Sequence, residues 1–235
     1  MLSLKELSDV ERFKELNSKC YKSLVSGASA LSLKRGAELF SEGETPTGMF
    51  IILKGSVKVS KTLTSGSEFV FDIFYPGESL GEVSLLSEQD YPAVATALED
   101  TRILKINKKA YLSTFEGTNQ AVMKAIKELC LRIKRQHRRI GELSAGDVEK
   151  RIASVILSIG ERTQHSNTKT ISVNLSRQEL SAMVGARIET VIRIVSKWID
   201  SGLAEKKTRG FKVKKEEMLF IIKDCYISKA IPSKT

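Results

Sequence analysis

Cysteine is scarce in this chain. Its 235 residues include three, Cys20, Cys130 and Cys225, far apart and with no Cys-x-x-Cys pair. That argues against a disulfide framework and a thiolate zinc site, and it fits a reducing compartment, the cytoplasm. Histidine is scarcer still: His137 and His165 are the only two, so no metal-ligand spacing arises. No run approaches the roughly 18 consecutive apolar residues that a membrane span needs. The opening Met1-Leu2-Ser3-Leu4-Lys5-Glu6 lacks the basic-then-apolar pattern of a secretory signal. No nucleophile–base pair and no phosphate-binding loop stands out, so no enzymatic apparatus is expected.

What the chain has instead is positive charge. Lysine and arginine total 38 against 28 acidic residues, a net charge of +10. The excess is uneven: about −2 over residues 1–116, about +5 over 117–146 and about +7 over 147–235. A polyanion contacting mainly the second half is the natural partner, and nucleic acid is the leading candidate. The basic residues do not gather on one amphipathic face, which argues against an anionic membrane surface.

The periodicity changes twice. After a short amphipathic helix over about Ser8–Ser26, residues from Leu31 to Ile106 alternate short apolar runs with turns such as Gly36, Gly55, Ser65-Gly66 and Pro76-Gly77. Evenly spaced short strands predict an antiparallel sandwich or jelly roll. From Asn119 the period becomes helical: Val122, Ile126, Leu129, Ile133, Gln136, Ile140 and Leu143 step by four and three. Such a seam fits a two-stranded coiled coil, with packing against the chain's own barrel as the alternative. Ser144-Ala145-Gly146-Asp147 breaks it. The expected class is α+β, in three parts: a β-roll domain with its N-terminal helix (1–116), a dimerisation helix and hinge (117–146), and a DNA-binding domain (147–235).

Ser176-Arg177-Gln178-Glu179 is a capping box ahead of a helical run ending at Val184. Gly185 permits a tight turn. A second helix then runs from about Arg187 to Ser201, turning Val191, Ile194, Val195 and Trp198 inward. Two short helices joined at a glycine make a helix-turn-helix. In that motif the outer positions near the start of the second helix meet base edges; here they are Ile188, Glu189, Ile192 and Arg193. Arg193 can donate to guanine O6 and N7, and Glu189 can accept from cytosine N4 or form an i,i+4 surface pair with Arg193. The isoleucines can touch only thymine methyls. Gly202 to Val213 reads as a basic hairpin with Arg209-Gly210 near its tip, suited to lie on phosphates.

Arg177-Gln178-Glu179-Leu180, Val184-Gly185, Glu189-Thr190-Val191 and Arg193-Ile194 resemble the cyclic-AMP receptor protein/fumarate–nitrate regulator (CRP/FNR) family over about residues 30–215. The resemblance implies a jelly-roll sensor, a long dimerising helix, a winged helix-turn-helix and homodimers on palindromic duplex DNA, with RNA polymerase as a further partner. It implies DNA contacts from Arg177, Gln178, Arg187, Ile188, Glu189, Ile192, Arg193 and Arg209. Ile188 stands where cyclic-AMP receptors carry a base-reading arginine, which resembles the fumarate–nitrate branch and its TTGA-like half-sites.

Pro76 to Leu86 resembles the phosphate-binding cassette of cyclic-nucleotide domains, with Gly81 for close approach and Glu82 for a ribose hydroxyl. The expected arginine is replaced by Tyr91, followed by Pro92, and no other arginine is near. A buried phosphate without a positive partner is costly, so cyclic AMP is disfavoured. The absence of an N-terminal cysteine cluster argues against an iron–sulfur centre. Gln136 and His137 fall where the family reads its nucleotide base; Gln136 can equally set seam register. His137 could ligate haem or be a solvated surface residue. No metal is assigned, and the effector stays open, as does the choice between activation and repression.

Overall fold

The computed structural model describes residues 18–115, 119–144, 147–163 and 169–228. The chain forms two compact units that divide between Arg135 and Gln136. The sequence-expected helix from Ser8 is described only from Ser18.

The first unit opens with helix α1 (Ser18–Ser26) and continues into eight strands. They are β1 (Ala28–Leu33), β2 (Glu38–Phe40), β3 (Gly48–Lys54), β4 (Val57–Thr62), β5 (Glu68–Phe74), β6 (Ser79–Leu80), β7 (Val94–Ala97) and β8 (Thr101–Asn107). Short helices α2 (Glu82–Ser87) and α3 (Lys108–Ser113) interrupt and close the set. The strands make two four-stranded antiparallel sheets, β1-β8-β3-β6 and β2-β7-β4-β5. This is the β-roll that the turn spacing predicts.

Strand β3 shows why its sequence reads as an unbroken apolar run. Met49 and Ile51 point into a cluster with Leu24, Leu104, Ile106, Ala110 and Tyr111, beneath α1 and α3. Phe50 and Ile52 point the other way, into a cluster with Phe40, Val57, Phe74, Leu80, Tyr91 and Ile103. Alternate residues lie on opposite faces of a strand, and here both faces are covered, so neither tolerates a polar residue. Helix α3 is held at its start by Asn107, whose side chain accepts from the Ala110 amide at 2.8 Å.

The long helix α4 (Asn119–Ser144) crosses the division between the units. Among the seam residues Val122, Leu129 and Gln136 are half-buried. Ile126, Ile133 and Ile140 are 45%, 53% and 61% exposed. The side chain of Leu143 lies outside the described residues.

The second unit contains α5 (Val148–Thr163), β9 (Thr170–Val173), α6 (Arg177–Val184), α7 (Ile188–Asp200), β10 (Ala204–Lys206), β11 (Phe211–Lys214) and α8 (Lys215–Ser228). Its sheet order is β10-β11-β9, all antiparallel. Ile152, Ile156, Leu180, Val184, Val191, Val195, Trp198 and Phe211 are buried at its centre. Helix α5 carries Glu149 in its first turn and Arg162 in its last, each charge favourable at its end. Helix α8 is not expected from the sequence. Its apolar run Met218-Leu219-Phe220-Ile221-Ile222 has no amphipathic period, and only Met218 of the five is fully buried. Glu216 and Glu217 in its first turn favour a helix start.

The wing depends on Gly210. Its φ is +77°, and a Cβ there would stand 1.8 Å from the Val173 carbonyl oxygen. Left-handed backbone and the approach of β9 both exclude a side chain. Replacing Gly210 with Ala should lower the stability of this unit by about 2 kcal/mol or more. Urea unfolding followed through the single, fully buried Trp198 measures it; an unchanged midpoint would show that the close approach is not required.

Candidate functional site

Two groups of side chains carry chemistry, one in each unit. In the first, β6 ends at Gly81, whose φ of +87° turns the chain into α2. Glu82 begins that helix and is only 3% exposed. One of its carboxylate oxygens accepts from the Tyr111 hydroxyl at 3.4 Å. The other lies 3.7 Å from Nη2 of Arg132. That same Nη2 donates to the Ser79 carbonyl at 2.5 Å, and the guanidinium lies over the Phe74 ring at 5.1 Å. This corrects the reading that no arginine stands near the cassette. One arrives from α4, about fifty positions along the chain, and it is already opposed by the Glu82 carboxylate.

Tyr91 fills the neighbouring space. It is 3% exposed, and its ring stacks on Phe40 with centroids 3.7 Å apart and planes at 14°. Its hydroxyl donates to the Gly48 carbonyl at 3.4 Å. A Cβ built on Gly81 would lie 3.4 Å from that hydroxyl oxygen. The tyrosine side chain therefore rests on Gly81, expected from the sequence to let a ligand approach the backbone. Burial, helped by the charge of Glu44, pushes its pKa up to about 12, so the phenol is neutral at physiological pH and supplies no positive charge. Gly81, Glu82 and Tyr91 are thus brought together, and Pro92 beside them is exposed. Gln136 and His137 belong to the other unit, the first half-buried and the second exposed. Among the described residues no three His, Cys, Asp or Glu side chains gather as a metal ion requires.

In the second unit the capping box closes at both ends. The Glu179 amide donates to Ser176 Oγ at 3.1 Å, and the Ser176 amide donates to Glu179 Oε2 at 2.6 Å. Gly185 ends α6 in the left-handed conformation, φ 59° and ψ 47°. Arg187 takes the N-cap position of α7, and its side chain makes no capping hydrogen bond. Val191, Val195 and Trp198 are fully buried, and Ile194 is half-buried. The opposite face presents Glu189, Ile192 and Arg193, all exposed, with Ile188 half-buried at its edge. No ion pair joins Glu189 to Arg193 among the described residues, so both heads are available to a partner.

Arg177 and Arg209 hold the wing to α6. The Arg177 guanidinium lies over the Phe211 ring at 4.7 Å, and burial draws its pKa below the ordinary value. Nη2 of Arg209 is 3.6 Å from Glu179 Oε1, so the capping glutamate serves the wing as well. Gln178 is exposed on the first turn of α6. Sequence reasoning missed Arg132, Tyr111 and Phe40 in the first group and the second duty of Glu179 in the other. None carries a local signal: Arg132 is one of many cations on α4, and the contacts join distant segments.

Comparison with known proteins agrees with both halves. Residues 30–117 match the model of the cyclic nucleotide-binding domain, and residues 150–220 match that of the Crp-like helix-turn-helix domain. A CRP-like cAMP-activated global transcriptional regulator from Mycobacterium tuberculosis is 25% identical over 187 residues, 79% of this chain and 84% of that one. The cAMP-activated global transcriptional regulator CRP of Haemophilus influenzae is 27% identical over 167 residues, 70% of this chain and 75% of that one. In fold, the chain is similar to FixK2 from Bradyrhizobium japonicum, with a TM-score of 0.73, 18% identity and coverage of 82% of this chain and 96% of that one. It is also similar to a CRP/FNR-family transcriptional regulator from Thermus thermophilus, with a TM-score of 0.66, 19% identity and coverage of 83% and 98%.

If Tyr91 fills the site by packing, Tyr91→Ala should destabilise the first unit by about 3–5 kcal/mol. Tyr91→Phe should cost about 1 kcal/mol or less at pH 7, because only a weak hydrogen bond is lost. The raised pKa adds a test of sign. The unfolded phenol ionises near 10.0 and the folded one near 12, so its contribution is complete below pH 10 and declines as pH rises towards 12. Denaturant titrations across that window should show a smaller decline in Tyr91→Phe than in the parent. Equal declines would place the phenol in water.

Proposed function

The chain belongs to the cyclic-AMP receptor protein/fumarate–nitrate regulator family of transcription regulators, and from that membership we propose that it acts as a homodimer on two-fold symmetric duplex DNA. The observation that carries the reading is the outer face of α7. Glu189, Ile192 and Arg193 stand exposed on a helix whose other face is fixed by three fully buried residues. Arg193 is assigned to a guanine and Glu189 to a cytosine; Ile188 and Ile192 make apolar contacts at their flanks. Arg187 and Gln178 are assigned to phosphates, and Arg177 and Arg209 to the approach of the wing.

The dimer reading rests on Ile126, Ile133 and Ile140, which recur at seven-residue spacing and leave large apolar surfaces in water. A second copy of the helix would cover them, with Val122, Leu129, Gln136 and Leu143 completing the seam. A closed dimer pairs two reading helices with two half-sites. RNA polymerase is the assigned downstream partner, the cytoplasm the assigned location, and no catalytic activity is assigned. No described helix is long and apolar enough to cross a membrane.

The effector does not follow from the relatives named as cAMP-activated. Where a cyclic phosphate would need a positive charge, this chain places a neutral, buried phenol. One specific observation therefore favours a second reading, a constitutive regulator whose barrel is occupied by its own Tyr91. Haem at His137 is the alternative that an absorption spectrum of fresh protein decides.

Selection of binding sites from random duplexes tests the main reading. The parent should enrich a palindrome. Arg193→Ala should lose about 1–3 kcal/mol of binding and relax preference at one base pair in each half-site. An unchanged selected motif would remove Arg193 from base reading, and a monomer that retards no palindromic duplex at low salt would end the proposal. Calorimetric titration with cyclic AMP should give weak or no binding; tight binding would show that Tyr91 yields its place.

A further inference from the structure

A short helix leaves its last carbonyls without partners inside the helix. At the end of α6 these groups form the start of the turn to α7. The amides of Gly185 and Ala186 both donate to the Ser181 carbonyl, the second at 3.2 Å. Two later carbonyls receive side chains instead. Nη2 of Arg139 donates to the Met183 carbonyl at 2.6 Å. Nη1 of Arg151 lies 3.4 Å from the Gly185 carbonyl. One guanidinium comes from the last turns of α4 and the other from the first turn of α5. Both place positive charge at the negative end of α6, where it is favourable.

The turn is also held from within. Met183 and Val184 are 5% and 1% exposed. The indole of Trp198 on α7 donates to Glu149 of α5 at 2.7 Å. The backbone at the turn is thus fixed by packing on one side and by two guanidinium groups on the other. Arg138, the neighbour of Arg139, provides a contrast. It lies 3.6 Å from Glu161 with both side chains about half exposed, a kind of pair that contributes little.

We infer that Arg139 is a positioning residue: from the end of the long helix it fixes the turn between α6 and α7, and with it the axis of the base-reading helix. This rests on the reading of the second unit as DNA-binding. A planar guanidinium suits the task because its donors keep a fixed geometry, whereas a lysine ammonium is a rotating point charge. A displacement of the last turns of α4 then reaches the turn through the hydrogen bond of Arg139 to the Met183 carbonyl, with no change within α7.

The test uses the full chain and the variants Arg139→Ala, Arg139→Lys and Arg138→Ala. Amide hydrogen exchange is read on the free proteins at Gly185 and Ala186. Operator affinity is read across a series of salt concentrations. Arg139→Ala should speed exchange at the two amides about tenfold and weaken operator binding about three- to tenfold. Base preference and the slope of log affinity against log salt should stay at parental values. Arg139→Lys should fall between, and it carries the same readouts if the alanine variant fails to fold. Arg138→Ala should match the parent. Unchanged exchange in the Arg139 variants would overturn the inference. So would a salt slope reduced by about one, the mark of a direct phosphate contact. Exchange is measured without DNA, so a parent that binds no operator sinks the DNA-binding reading while exchange still decides this one.

Discussion

The indole hydrogen bond of Trp198 to Glu149 fixes what a helix-turn-helix most needs fixed, the rotation of its second helix about its own axis. A helix turned by one residue shifts every side chain about 100° around the cylinder, which would carry Arg193 off the exposed face of α7. Packing of Val191, Val195 and Trp198 defines the buried stripe, but apolar contacts are forgiving of small rotations. A hydrogen bond from a fully buried ring to a carboxylate at 2.7 Å is not. It is charge-assisted and contributes more than a neutral bond. The exposed positions on α7 inherit their directions from it.

In the first unit the comparable constraint is occupancy. Tyr91 stands in a segment whose register resembles a phosphate-binding cassette, but its ring is stacked and its hydroxyl rests against Gly81. The same geometry that would let a ligand approach the backbone here lets a side chain approach it. Glu82 is held by Arg132 and Tyr111, so its carboxylate does not lack a partner when no ribose is present. Glu82, Tyr91 and Arg132 each have a polar partner within the chain, as buried polar groups require.

Much of this was legible in the sequence, in proportion to how local each feature is. The capping box Ser176–Glu179 is a four-residue motif, and it forms with both of its hydrogen bonds. The face of α7 follows from a single helical period. The β-roll was readable as a class from its turn spacing, although β6, α2 and α3 are too short to leave a period. Tyr91 could be seen to replace an arginine, but nothing in the sequence tells where its ring goes. Arg132 was invisible because its contact with Glu82 is long-range, and on α4 it looks like any other cation. Helix α8 was missed because Leu219 and Phe220 are 40% and 60% exposed, so its apolar run shows no face. On α4 itself, sequence spacing treated seven seam residues as equivalent. The fold half-buries Val122, Leu129 and Gln136 and leaves Ile126, Ile133 and Ile140 in water.

The net charge of +10 overstates how much of the chain is available to a polyanion, and the reason separates arginine from lysine. Arg132, Arg139 and Arg151 donate to backbone carbonyls. Arg177 lies on an aromatic face, and Arg209 faces a carboxylate. These are uses for a planar, multiply donating, weakly hydrated cation. Lys206 and Lys214, by contrast, stand exposed on the strands of the wing. Counterion release depends on phosphates neutralised, not on cations encoded. The exposed lysines therefore keep their charge in solvent on the wing, while these arginines use their hydrogen bonds within the fold. Arg187 and Arg193 differ from these: both are exposed, and neither side chain holds another element among the described residues.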